Sequence, residues 1–130
     1  MKRISLTLLV LAAISALPAF AAPTCVQGAS GVAPAATLTF TAPTKNTDGT
    51  AIATPLTYNV YMGTASGTET KVASGLAGSP IAVSAGLTPG STFYFEVTVV
   101  DARGVESAKS AEVCKAFADS IPGTVTITIQ

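Results

Sequence analysis

Histidine and tryptophan are absent from this 130-residue chain, and charged residues make up only 11% of it. Without histidine the commonest general base and the commonest neutral metal ligand are missing. Seven Lys and Arg stand against seven Asp and Glu, so there is no basic excess to hold a nucleic acid. Only two cysteines occur, Cys25 and Cys114, with no Cys-x-x-Cys pair, so neither a metal site nor a cofactor is expected. The carboxylates Asp48, Glu69, Glu96, Asp101, Glu106, Glu112 and Asp119 are scattered along the chain. No Ser/His/Asp set and no Gly-rich phosphate loop accompanies them. The chain therefore reads as a protein that is not an enzyme. No apolar stripe of helical period is present either, which argues against a helical core.

What is there begins with an export signal. Met1-Lys2-Arg3 supplies positive charge, Ile4 to Leu17 is apolar, and Ala19-Phe20-Ala21 is a small-x-small cleavage site after Pro18. Residues 1–21 are thus expected to be a signal peptide cut between Ala21 and Ala22. The 14-residue apolar run is short against the ~20 that a bilayer crossing needs, so no membrane span is expected after cleavage. The remaining 109 residues would carry five basic and seven acidic side chains in the periplasm or outside the cell.

In an oxidising compartment the two cysteines have a use. An intramolecular Cys25–Cys114 bond would close a loop of about 90 residues and pin the mature N-terminus to the last strand of the domain, a constraint worth roughly 4–5 kcal/mol. Free thiols or intermolecular bridges are the alternatives.

Residues 22–130 contain eighteen Thr and eighteen Ala, with seven Pro and eleven Gly as frequent punctuation. That cadence belongs to short strands and turns. Residues 22–34 form an N-terminal segment with at best a weak first strand. Alternating segments follow at Thr37–Thr41, Leu56–Met62, Thr70–Ala73, Ile81–Val83, Thr92–Val100 and Ser110–Phe117. In Thr92–Val100 the side chains of Phe93, Phe95, Val97 and Val99 share the inner face. Single-sided alternation in seven or eight short strands predicts an all-β, antiparallel sandwich.

Five stretches together resemble a fibronectin type III domain. They are Leu38-Thr39-Phe40-Thr41-Ala42-Pro43, Tyr58-Asn59-Val60-Tyr61, Leu87-Thr88-Pro89-Gly90, Phe93-Tyr94-Phe95-Glu96-Val97 and Asp101-Ala102-Arg103-Gly104-Val105-Glu106-Ser107. The resemblance covers residues 35–117 and implies an immunoglobulin-like sandwich of seven strands. It also implies that Asp101 to Ser107 is the loop between the sixth and seventh strands. Phe40 stands where the family usually has Trp, and Phe93 where it usually has the corner Tyr.

Residues 118–130 then read as a linker and an extra strand, Thr124 to Gln130, with Val125, Ile127 and Ile129 on one face. Such an uncharged strand without proline pairs readily through its edges. It is expected to fold back on its own domain or to add to a neighbouring subunit, with a relic of a second domain's opening strand as a third reading. For surface contacts the candidates are Arg103, beside Asp101 at a loop tip, and Tyr61 with Tyr94 on adjacent strands. The leading functional expectation is a secreted binding or adhesion module that meets a protein or glycan at the cell surface. A structural subunit that self-associates by strand addition is the alternative, and an accessory domain of a polysaccharide hydrolase is the weakest reading.

Overall fold

The structure is a computed structural model and describes residues 22–128. The expected signal peptide and Ile129 lie outside the described residues. Seven strands form two sheets: β1 (Val26–Gln27), β2 (Ala36–Leu38), β3 (Thr57–Gly63), β4 (Thr70–Leu76), β5 (Ile81–Val83), β6 (Thr92–Val100) and β7 (Val113–Ala116). One sheet has the order β1-β7-β6-β3-β4, and the other pairs β2 with β5. The architecture is the all-β sandwich that the alternation predicts, of the immunoglobulin-like kind that the family resemblance implies.

The core lies between the sheets. Phe93 and Phe95 of β6 point inward with Tyr58 and Val60 of β3, and Leu38 and Ile81 close the core from the smaller sheet. Phe95 and Val60 are almost fully buried, at 1% and 0% exposure. Phe40 lies tilted on Tyr58 at 4.8 Å between ring centres, and Phe93 meets Phe117 edge-on at 6.0 Å. Both geometries favour aromatic pairs. Phe93 thus serves as a core aromatic, while Tyr94 alternates to the opposite face.

Cys25 and Cys114 form the expected disulfide, 89 residues apart in sequence. It sets a local topology that the alternation does not show. β1 runs parallel to β7, with Val26 opposite Lys115 and Gln27 opposite Ala116. Cys25 therefore stands directly beside Cys114, and the N–H of Gly28 continues the pairing by donating to the Ala116 carbonyl at 2.7 Å. All other pairings are antiparallel.

Two strands are shorter than their alternation suggests, each because a side chain replaces a main-chain partner. β2 ends at Leu38 instead of Thr41: the next inward-facing amide, Phe40 N–H, donates to the Ser79 hydroxyl at 3.0 Å. β7 begins at Val113 instead of Ser110. Upstream, the Val97 and Val99 amides donate to the hydroxyls of Ser110 and Ser107, both at 3.1 Å.

The extra C-terminal strand is corrected by the structure. Residues 124–128 form no strand and pair with nothing among the described residues. Val125 and Ile127 are 87% and 82% exposed. Alternation marks a segment fit for a sheet, but a strand needs a free edge within reach. Among the described residues the segment occupies none.

Candidate functional site

The loop from Asp101 to Ser107 is built around two carboxylates. Asp101 is 8% exposed and accepts from the amides of Arg103 and Val105, each at 2.9 Å, and from the Arg103 Nε at 2.8 Å. Its own amide donates to the Val105 carbonyl at 3.0 Å. Gly104 adopts φ +81°, the left-handed conformation that lets the chain reverse within this ring of bonds. These bonds and the guanidinium hold the Asp101 carboxyl below its usual range, led by the Val105 amide. Asp101 is thus the organiser of the loop and not a free contact. Arg103 stays on the surface, with its side chain 61% exposed while it pairs with Asp101 at 2.7 Å.

Glu106 is the hub of the outer face of the larger sheet. Its carboxylate accepts from Thr98 Oγ1 at 2.5 Å, Tyr61 Oη at 2.7 Å, Asn59 Nδ2 at 2.8 Å and Lys71 Nζ at 3.1 Å. These donors, Thr98 foremost, push its pKa down to about 2. They come from β3, β4 and β6, so one carboxylate ties three strands to the loop. The network also explains why Thr98 and Asn59 are buried on a face that alternation assigns to solvent.

Tyr61 is part of this network. Lys109 and Lys71 lie over its ring at 4.7 and 5.4 Å, and Lys109 pairs with Glu96 at 2.6 Å. Tyr94 shares the face but stands diagonally offset, because Tyr61 pairs with Glu96 and Tyr94 with Gly63. The two tyrosines are diagonal neighbours on that face. Tyr61 presents a ring between two ammonium groups, and Tyr94 stands beside the disulfide, opposite Cys114.

The Asp101–Ser107 loop faces a second rigid turn. The Asp48 carboxylate accepts from the amide and hydroxyl of Thr50 at 2.9 and 2.6 Å, and Asn46 Nδ2 donates to the Ala51 carbonyl at 3.0 Å. Between the turn and the loop lies a cleft of about 500 Å³, lined by Lys45, Asp48, Ile52, Arg103, Val105 and Ser107 among others. It places cations and apolar side chains side by side at one pole of the sandwich.

No family model and no curated protein matches the chain. Among solved structures, a Fn3-like protein from Clostridium thermocellum superposes with a TM-score of 0.51 at 27% identity. The match covers 82% of this chain and 100% of that one. The chain has a fibronectin type III-like fold. That fold serves binding and structural modules in general. The disulfide in so small a fibronectin-type domain fits an extracellular or periplasmic location.

Two features of this fibronectin-type sandwich escape sequence reasoning. Glu69 and Glu112, 43 positions apart, both accept from the Gly67 amide, at 3.2 and 2.9 Å. Burial raises the Glu69 pKa, helped by Glu112, while Glu112 is lowered by the Gly67 amide against its own desolvation. The pair fastens the β3–β4 turn to the approach to β7. The second feature is an open seam between β2 and β7, which no single residue announces. Among the described residues no three acidic or cysteine side chains gather as metal ligands.

Proposed function

We propose that the chain is an exported, non-catalytic binding module that meets a protein or glycan partner at the cell envelope through its loops. The observation that carries this reading is the cleft of about 500 Å³ between the Asn46–Thr50 turn and the Asp101–Ser107 loop, which sets cationic beside apolar side chains. Hydrogen bonds within the turn and the loop shape its walls, and order of this kind lowers the cost of binding. Its carboxylates are occupied with loop structure, and Glu106, held ionised with a pKa of about 2, is unsuited to donate a proton near neutral pH. Lys45 and Arg103 provide the cationic contacts, and Val105, 60% exposed, the apolar one.

The test uses the exported, oxidised protein and envelopes of the producing cells. Intact mass should give a chain starting at Ala22. Sedimentation with the envelopes should retain the wild type and lose the Lys45→Ala/Arg103→Ala variant. Equal retention of both would remove the cleft from the reading, and turnover of a polysaccharide by the pure chain would overturn the non-catalytic assignment.

A second reading, a structural subunit that self-associates by strand addition, is favoured by one observation. Val125 and Ile127 stand exposed on an alternating segment that its own sandwich does not use.

A further inference from the structure

The smaller sheet has a free edge whose direction can be derived. Phe40 N–H points towards β5, where it meets Ser79. Main-chain groups alternate sides along a strand, so Ala36 and Leu38 also face β5, with which they pair. Thr37 and Thr39 then direct their N–H and C=O groups to the opposite edge. Ala35 confirms this parity: its carbonyl accepts from Lys115 Nζ of β7 at 2.7 Å, across the gap. Among the described residues, no main-chain group meets Thr37 or Thr39 on that edge.

Beside this edge the sandwich is open. A groove of about 450 Å³ runs between Leu38 and Phe40 on one wall and Phe95, Val97 and Val113 on the other. Val113 shows why the gap exists. It lies opposite Phe95, on the core-facing side of β7, yet it is 53% exposed because no strand of the smaller sheet reaches over it.

The chain thus holds an empty strand position and an unused strand. Thr37 and Thr39 offer main-chain partners over residues 36–40. Residues 124–128 supply the same length, with Val125 and Ile127 spaced to place alternate side chains in the groove. Five residues of each span about 17 Å. The segment is not in its own groove, since both side chains are more than four-fifths exposed. Ile121, before Pro122, lies 3.6 Å from the position of a Cβ on Gly31 in the β1–β2 loop.

We infer that the seam between β2 and β7 accepts the Thr124–Thr128 segment of a second copy of this chain. The donated strand hydrogen-bonds to Thr37 and Thr39 and buries Val125 and Ile127 against Leu38, Phe95 and Val113. This rests on the strand-addition reading above and supplies its acceptor. Donor and acceptor are different surfaces, so the contact is head-to-tail and each added copy leaves one seam and one strand free.

Light scattering on the exported, oxidised full chain tests this. The wild type should grow in mass with concentration. Three variants should remain monomers: a chain ending at Ser120, Val125→Lys/Ile127→Lys in the donor, and Val113→Arg in the acceptor. Circular dichroism checks that each is folded, and Thr39→Pro, which removes the outward N–H, replaces Val113→Arg if that variant unfolds. Mixing the donor variant with the acceptor variant should yield a one-to-one pair and nothing larger. A synthetic peptide of residues 119–130 should bind the chain ending at Ser120 and protect the Thr37 and Thr39 amides from exchange. A wild type that stays monomeric overturns the inference, and if those amides are protected in it the strand has folded back in cis. Growth that survives Val113→Arg and Thr39→Pro also overturns it, by placing the contact elsewhere. A monomer that still sediments with envelopes through Lys45 and Arg103 leaves the binding-module reading intact while removing this one.

Discussion

Breaking the Cys25–Cys114 bond should cost more stability than any other two-atom change in this protein. The bond joins residues 89 apart, so it removes the closure entropy of a loop that spans nearly the whole sandwich. Loop-closure entropy for that length corresponds to about 4.6 kcal/mol at 25 °C. A domain of this size is stable by about 5–15 kcal/mol in total, so the loss takes a large share. With an unfolding entropy near 2.1 cal/mol/K per residue, it lowers Tm by about 20 °C. The loss also has a local part. β1 is two residues long, and beyond its pairing with β7 it is continued by the Gly28 amide on the Ala116 carbonyl. Without the covalent tie so short a strand frays. The assay compares urea unfolding of the oxidised wild type with that of Cys25→Ala/Cys114→Ala, and follows exchange of the Gly28 amide. The expected result is a drop of about 3–5 kcal/mol, with Gly28 losing protection while the Val97 and Val99 amides keep theirs. A drop below about 1 kcal/mol with Gly28 still protected would refute the reasoning, because β1 would then hold by pairing alone.

Phe95→Ala should destabilise the sandwich by about 3–5 kcal/mol in the same urea assay, since the ring is fully buried between the sheets. The Glu106 pKa lies below its unfolded value of 4.5, so its contribution is complete above that pH and disappears as pH falls towards 2. Thermal melts from pH 6 to pH 2 should show that loss in the wild type and a flatter profile in Glu106→Gln. Glu69 acts with the opposite sign, because its raised pKa makes protonation favour the folded state; Glu69→Gln should therefore steepen the acid loss. Gly104→Ala should cost about 1–2 kcal/mol by forcing a side chain into the left-handed region at φ +81°, read from the shift of the urea midpoint. Ending the chain at Ser120 should change the stability of the dilute monomer by less than about 0.5 kcal/mol, because Val125 and Ile127 are largely exposed.

Sequence alone determined the features that depend on local pattern and count. Period-two alternation placed Phe93 and Phe95 inward and located β3, β5 and β6, because in a half-buried strand the side-chain pattern and the burial are the same fact. The two cysteines offered one intramolecular bond, which the structure forms. The spacing of Leu38 to Pro43, Leu87 to Gly90 and Asp101 to Ser107 carried the fold resemblance. Tertiary structure alone decided which edges found partners. Ser79, Ser107 and Ser110 cut β2 and β7 short, because a hydroxyl can replace a carbonyl only when folding brings it to the amide. Glu106 became the hub of Asn59, Tyr61, Lys71 and Thr98 because three strands from distant parts of the sequence present donors to one carboxylate. Asp101, which sequence offered as a surface contact, was turned inward by the amides of its own loop. The last case is Thr124 to Thr128. Its alternation was plain in the sequence, but a strand exists only where another edge completes its hydrogen bonds, and among the described residues this segment meets none.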